Sequence, residues 1–345
     1  MAITTSRKRI GIAAFALALA VGVGAGTTAL VVAATDQTLV RRGQLGTLGW
    51  YSSIYATGNS PRGTVFDGAN IWTANSGSNN VSKLNAATGA LVGTYGVGTA
   101  PYGIAFDGAN IWTANSASNN VTKLNAATGA LIGTYAVGTN PYGIVFDGAN
   151  IWTANNGSNN VTRLNASTGA LVGTYGVGIN PRGIVFDGDY VWTANHGSNN
   201  VTKINAFSGA LVNTHAVGTR PFGIAFDGIN IWTANSGSGN VTKLSKANGA
   251  LVGTYAVPAT PMGLAFEQGG SSSGSGTGSK LSEDRGTYIW VTSDATSTVS
   301  AINTATGAVV GTYPTGGSPF WPTFDGTSMW VPNNGSFTLS RFAVR

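Results

Sequence analysis

The stretch PYGIVFDGANIWTANNGSNNVTRLNASTGALVGTYGVGIN, residues 141–180, decides the fold. Residues 101–140 match it at 32 of 40 positions, and further copies begin at Pro61, Pro181, Pro221, Pro261 and Pro319. A fixed period of about 40 residues denotes one supersecondary unit, copied so that each buries its apolar face on the next. Within residues 101–140 four short runs rich in β-formers stand apart: 103–106, 111–114, 121–124 and 131–135, here strands A to D. Asp107-Gly108 between A and B, and Thr128-Gly129 between C and D, supply the glycine that a tight turn needs where φ is positive. Four antiparallel strands per 40 residues is the pattern of a propeller blade.

The two ends of the array fit together. The copy from Pro319 offers strand A around Thr323-Phe324, B at 329–331 and C at 339–342, and stops before any strand D. Residues 53–58, SIYATG, align with the strand D sequence at 94–98. An N-terminal strand that completes the last blade leaves no blade unpaired. The expected fold is all-β: a seven-bladed β-propeller of four-stranded antiparallel blades, closed by an N-terminal strand. One tryptophan recurs on each strand B: Trp72, Trp112, Trp152, Trp192, Trp232, Trp290 and Trp330. Burying about 150–250 Å² per ring gives roughly 4–6 kcal/mol each as an upper bound, so these are packing residues first. Tyr95, Tyr135, Tyr175 and Tyr255 on strand D read the same way, with His215 in that place in the fourth blade. The recurrent Asn-Asn-Val-Thr segments fit a glycosylation acceptor pattern, but recur by duplication and read as the turn into strand C.

Composition narrows the function classes. The chain has 345 residues, 51 glycines and only 9% charged residues. Its formal charge of +6 owes half to Arg7, Lys8 and Arg9; residues 35–345 hold 15 basic against 12 acidic groups, so no nucleic-acid surface is indicated. With no cysteine, disulfides, thiol catalysis and thiolate metal sites are excluded. After the basic triplet, residues 10–34 are uncharged and largely apolar, the order of a secretory signal. Residues 1–34 read as a signal peptide cleaved before Thr35, or as a retained membrane anchor, since 25 such residues span about 30 Å of bilayer. Either way the repeats are exported: secreted if cleaved, cell-surface or periplasmic if anchored through 10–34. Residues 35–48 read as a linker and 49–345 as the propeller. The Gly/Ser-rich run at about 267–284, in the A–B connection of the sixth blade, reads as a flexible insertion.

The string P-x-G-I-x-F-D-G-x-x-I-W-T-A-N-x-G-S-N-N-V-T-K-L-N, followed by T-G-A-L-V-G-T-Y-x-V-G, resembles the bacterial YVTN-type repeats and the related virginiamycin B lyase-like (streptogramin lyase) propellers. The resemblance covers residues 49–345 and implies the seven-bladed fold. For activity it implies opening of a cyclic streptogramin by elimination, with a histidine base, glutamates and a magnesium ion on one face. Where the lyase repeats carry a terminal Glu on strand B, this chain has Asn75, Asn115, Asn155, Asn195, Asn235, Ser293 and Asn333. Its two histidines, His196 and His215, have no glutamate two residues away.

Strand direction places the B–C and D–A loops on one face. The residues after the strand A prolines share it: Arg62, Tyr102, Tyr142, Arg182, Phe222, Met262 and Phe320. Near-identical copies carry little information about a unique site, so the informative positions are those that break the repeat: Arg182, His196, Arg220 and Phe222 in the fourth and fifth blades, and Phe320-Trp321-Pro322 in the seventh. Aromatics and arginines around a channel mouth suit a sugar, an anionic group or a peptide; equally, the same side chains would plug the channel. The expected function is an exported, non-catalytic binding or scaffolding module with no cofactor or metal, its partner a glycan, peptide or cell-envelope component. A carbon–oxygen lyase with a divalent metal is the alternative. The candidate ligand contacts are Arg62, Tyr102, Tyr142, Arg182, His196, Arg220, Phe222, Phe320 and Trp321.

Overall fold

A computed structural model describes residues 52–267 and 287–344. The leader at 1–34, the linker at 35–48 and all of the expected insertion but Glu267 lie outside the described residues. Seven four-stranded antiparallel sheets form the ring, six of them in the order A-B-C-D along the chain. In the second blade the strands are Pro101–Phe106, Asn110–Asn115, Asn120–Asn125 and Leu131–Ala136. The seventh sheet is composite: Ser52–Ala56 pairs antiparallel with Thr338–Ala343, outside Ser328–Asn333 and the two-residue Thr323–Phe324. The chain thus closes its own ring, as the alignment of residues 53–58 implies. The strands A of adjacent blades neighbour one another around the central channel.

Why this sequence makes a blade is clearest at the tryptophan. Asp67 Oδ1 accepts the amides of Ala69 and Asn70, which folds the A–B turn, and its Oδ2 accepts Trp72 Nε1 at 2.8 Å. The same bond recurs from Asp107, Asp147, Asp187, Asp227 and Asp325 at 2.7–2.8 Å. Glu267 replaces the aspartate in the sixth blade: it ends strand Pro261–Glu267, and its carboxylate accepts Trp290 Nε1. All seven indoles are fully buried.

Each indole is also a joint between blades. Lys83 Nζ lies 5.0 Å from the Trp72 ring and donates to Ala126 O, in the C–D turn of the next blade, at 2.8 Å. Lys123, Lys203 and Lys243 repeat the arrangement, and Arg163 and Arg341 vary it. Carbonyls and a π-face, rather than a carboxylate, satisfy the four buried lysines and the two half-buried arginines. The strand D aromatic covers the same tryptophan at 5.4–6.0 Å between ring centroids, and His215 keeps that place against Trp192. The tyrosine edge enters the space over the next blade's C–D glycine: a Cβ on Gly129 would fall 1.9 Å from Tyr95 Cε1.

The partly buried turn carboxylates make stability pH-dependent. Burial alone would raise the carboxyls of Asp67, Asp107 and Asp147, but hydrogen bonds from the indoles and turn amides outweigh it and hold all three below the ordinary aspartate value of 3.8. Their contribution is therefore fully present above the unfolded pKa and is lost as pH falls through the depressed folded values. Glu267 runs oppositely: burial raises it despite the Trp290 bond, so its contribution is present at low pH and lost as pH rises through its folded value. Burial also lowers the imidazole pKa values of His196 and His215, which therefore take up protons more readily in the unfolded chain. The melting temperature should begin to decline below about pH 6.5 and fall further below about pH 4 as the aspartates protonate. A thermal-denaturation series that stays flat to pH 2.5 would contradict this assignment.

Candidate functional site

The inner ring of strands can close tightly because each P-x-G motif has no Cβ at its glycine. A Cβ on Gly103 would meet Tyr142 O at 2.4 Å, and one on Gly143 would meet Arg182 O at 2.5 Å. Beneath the arginine-bearing face this leaves a narrow channel cavity of about 130 Å³ walled by Gly63, Gly103, Gly143, Gly183, Ile224, Leu264 and Trp321. The seventh blade breaks the pattern by placing Trp321 where the others have glycine, with only two residues of strand A beyond it. Trp321 N donates to Arg62 O and its carbonyl accepts Thr64 Oγ1 at 2.9 Å, so this residue joins the last blade to the first.

Above the cavity the side chains that follow each proline converge. Phe222, Met262 and Phe320 are buried in one cluster, with Tyr102 and Trp321 packed against it. Tyr102 and Tyr142 lie 4.1 Å apart, and Phe222 and Phe320 meet edge-on at 5.6 Å. The aromatic residues plug the mouth. Phe222 and Phe320, expected to touch a ligand, are therefore only 2% and 4% exposed and form the floor of the mouth; the physical reason is that seven large side chains crowd a mouth narrowed by the glycine contacts. Tyr102, Tyr142 and Trp321 are half-buried around them.

Two guanidiniums lie on this floor. Arg62 Cζ sits 4.7 Å from the Tyr102 ring and 4.3 Å from Phe320; Arg182 Cζ sits 5.5 Å from Tyr142 and 4.7 Å from Phe222. Arg62 Nε donates to Ser76 Oγ at 3.3 Å, whereas Arg182 Nε is buried without a hydrogen-bond partner. Arg220 is exposed beside them, at φ 53°, its amide donating to Asn199 Oδ1 at 2.8 Å. His196 stands edge-on to Phe222 at 6.4 Å. Burial, then the charges of Arg182 and Arg220, lower the His196 pKa to about 4, so the imidazole is neutral at pH 7. Burial raises the Tyr102 hydroxyl to about 12 although Arg62 opposes it.

The charges on this face are one-sided. Among the described residues the ion pairs are those of Lys246 with Asp187 and Asp189, so none of the three arginines is neutralised by a carboxylate. The turn carboxylates lie at the A–B end of the blades, opposite the arginines, and Asp294 in the sixth blade's B–C turn is the one described acid on the arginine face. A magnesium ion of the kind implied by the lyase resemblance needs several oxygen ligands in one place. Among the described residues no three His, Asp or Glu side chains converge, and this face has only His196 and Asp294 of those types; the donor set does not fit that ion.

Sequence reasoning located the inner ring because its residues sit at one offset from a repeated proline. It missed the Trp–Asp bond, whose signal is the five-residue spacing in D-G-x-x-x-W, and the strand C cations. Their signal is a lysine or arginine cross-strand from six of the seven strand B tryptophans, as Lys83 is from Trp72, with Ala301 opposite Trp290.

The fold class is a seven-bladed β-propeller. Two solved structures are similar to it: hydrazine synthase from Kuenenia stuttgartiensis, at 19% identity over 84% of this chain and 98% of that one with a TM-score of 0.70, and streptogramin B lyase, at 19% identity over 86% of this chain and 98% of that one with a TM-score of 0.68. The likeness expected from the repeats thus holds at the level of the fold. No family model matches the chain, and no curated protein matches it.

Proposed function

We infer that the chain is an exported, non-catalytic binding module that takes an anionic ligand on the face holding the D–A and B–C loops. The observation that carries this reading is the set of three arginines, Arg62, Arg182 and Arg220, unpaired by any described carboxylate and mounted on or beside an aromatic floor. Guanidiniums already held against rings lose little freedom when a carboxylate or phosphate arrives, and charge-assisted bonds to them are worth about 1.5–3 kcal/mol each. The plugged mouth favours a shallow contact with an acidic group of a glycan, peptide or envelope polymer over engulfment of a small substrate. Export rests on the basic-then-apolar order of residues 7–34.

Citrate is a simple probe of the site. Titrated calorimetrically, it should bind more weakly as ionic strength rises, and Arg182→Ala with Arg220→Ala should reduce affinity by at least about tenfold, the loss of one to two such bonds. Citrate binding that ignores both salt and the double substitution would refute the reading.

A further inference from the structure

A second concentration of departures from the repeat lies on the opposite face, in a groove between the third and fourth blades. Arg163 stands where the second blade has Lys123, Asp189 where the third has Ala149, Tyr190 where it has Asn150, and Phe207 where the second has Ala127. The groove encloses about 400 Å³, within the range of small-ligand sites. Packing accounts for Tyr190, whose ring joins the Trp192 cluster and carries Lys203 Nζ at 3.9 Å, but not for Arg163 or Phe207. Lys123 donates to two carbonyls of the next blade, at 2.7 and 3.4 Å, whereas Arg163 makes one such bond, to Phe207 O at 2.9 Å, and its Nε is buried without a partner. Phe207 is 90% exposed and so contributes almost no burial to the fold. Asp189 is held at the rim by Lys246 Nζ at 3.2 Å, another residue unlike its alanine counterparts at 126, 166 and 206.

We propose that this groove is a binding site for a neutral saccharide, separate from the arginine face. The exposed ring of Phe207 offers an apolar platform for the C–H face of a sugar. Asp189 supplies acceptors and the half-buried Arg163 guanidinium donors, and hydroxyl groups, which both give and receive hydrogen bonds, satisfy the two together. Ionic ligands fit less well, because Asp147 and Asp189 repel anions while Arg163 and Lys246 repel cations.

The repeat itself supplies fold-compatible variants, since alanine already stands at both test positions in neighbouring blades. Chitohexaose, cellohexaose and maltohexaose would each be titrated calorimetrically into the full chain. At least one should bind, with affinity reduced tenfold or more in Phe207→Ala and in Asp189→Ala at unchanged melting temperature. The same sugar should bind Arg182→Ala/Arg220→Ala as it binds the parent, which separates this groove from the anion site. Failure of all three sugars to bind, or undiminished binding by Phe207→Ala, overturns the proposal. So does sedimentation showing a dimer that Phe207→Ala dissolves, for then the ring seats in a second copy.

Discussion

Replacing Trp112 by alanine should destabilise the protein by about 3–5 kcal/mol or more, a large part of a typical domain's total stability. The indole is fully buried, packs on Tyr135 at 5.5 Å, lies 5.0 Å from Lys123 Nζ and donates to Asp107 at 2.8 Å. Truncation opens a cavity, and it also removes a donor from a partly buried carboxylate and the π-face from a largely buried lysine. Trp112→Phe keeps most of the ring but not the N–H, so its cost should be smaller, about 1–3 kcal/mol. Denaturant unfolding of both variants checks this. Near-equal costs for the two would mean that the hydrogen bond, not the packing, dominates the joint.

Gly129→Ala should cost about 2–5 kcal/mol, from two sources that can be separated. At φ +76° any L side chain costs about 1–2 kcal/mol, and the new Cβ would overlap the Tyr95 ring of the preceding blade, adding the roughly 1–3 kcal/mol typical of overpacking. Gly148 has φ +98° with nothing near its absent Cβ, so Gly148→Ala reports backbone strain alone. The difference between the two variants measures how closely one blade's tyrosine enters the next blade's turn. In a Tyr95→Ala background the excess cost of Gly129→Ala should largely vanish, and its persistence would show that the clash is not with that ring.

Most of the fold is legible in residues 141–180 because a repeat states the same packing problem seven times. The glycine turns, the strand B tryptophan and the strand D tyrosine recur at fixed offsets, and the C–D glycine meets the strand D ring of the preceding blade. Closure is legible from the orphan strand at residues 53–58. The candidate site is legible only as a ring of positions. That Phe222 and Phe320 form the floor while Arg62 and Arg182 lie on top follows from the width of the channel mouth, which is set by glycine–carbonyl contacts between blades and leaves no trace in any one copy. The groove near Phe207 escapes a sequence reading for a related reason: Arg163 and Tyr190 are 27 positions apart, and only the stacking of two blades brings them to one cavity.

If repeated residues carry the fold and departures carry recognition, restoring the repeat at the arginine face should remove binding and leave stability intact. Arg182→Tyr with Arg220→Asn gives the fourth and fifth blades the residues that Tyr142 and Asn180 supply at the equivalent positions. Asn also suits the left-handed backbone at position 220 better than arginine does. Melting temperature and citrate affinity measured together on this variant give the most direct test. The expected result is a melting temperature equal to or above that of the parent with citrate affinity lowered at least about tenfold; unchanged affinity in a stably folded variant would contradict the account.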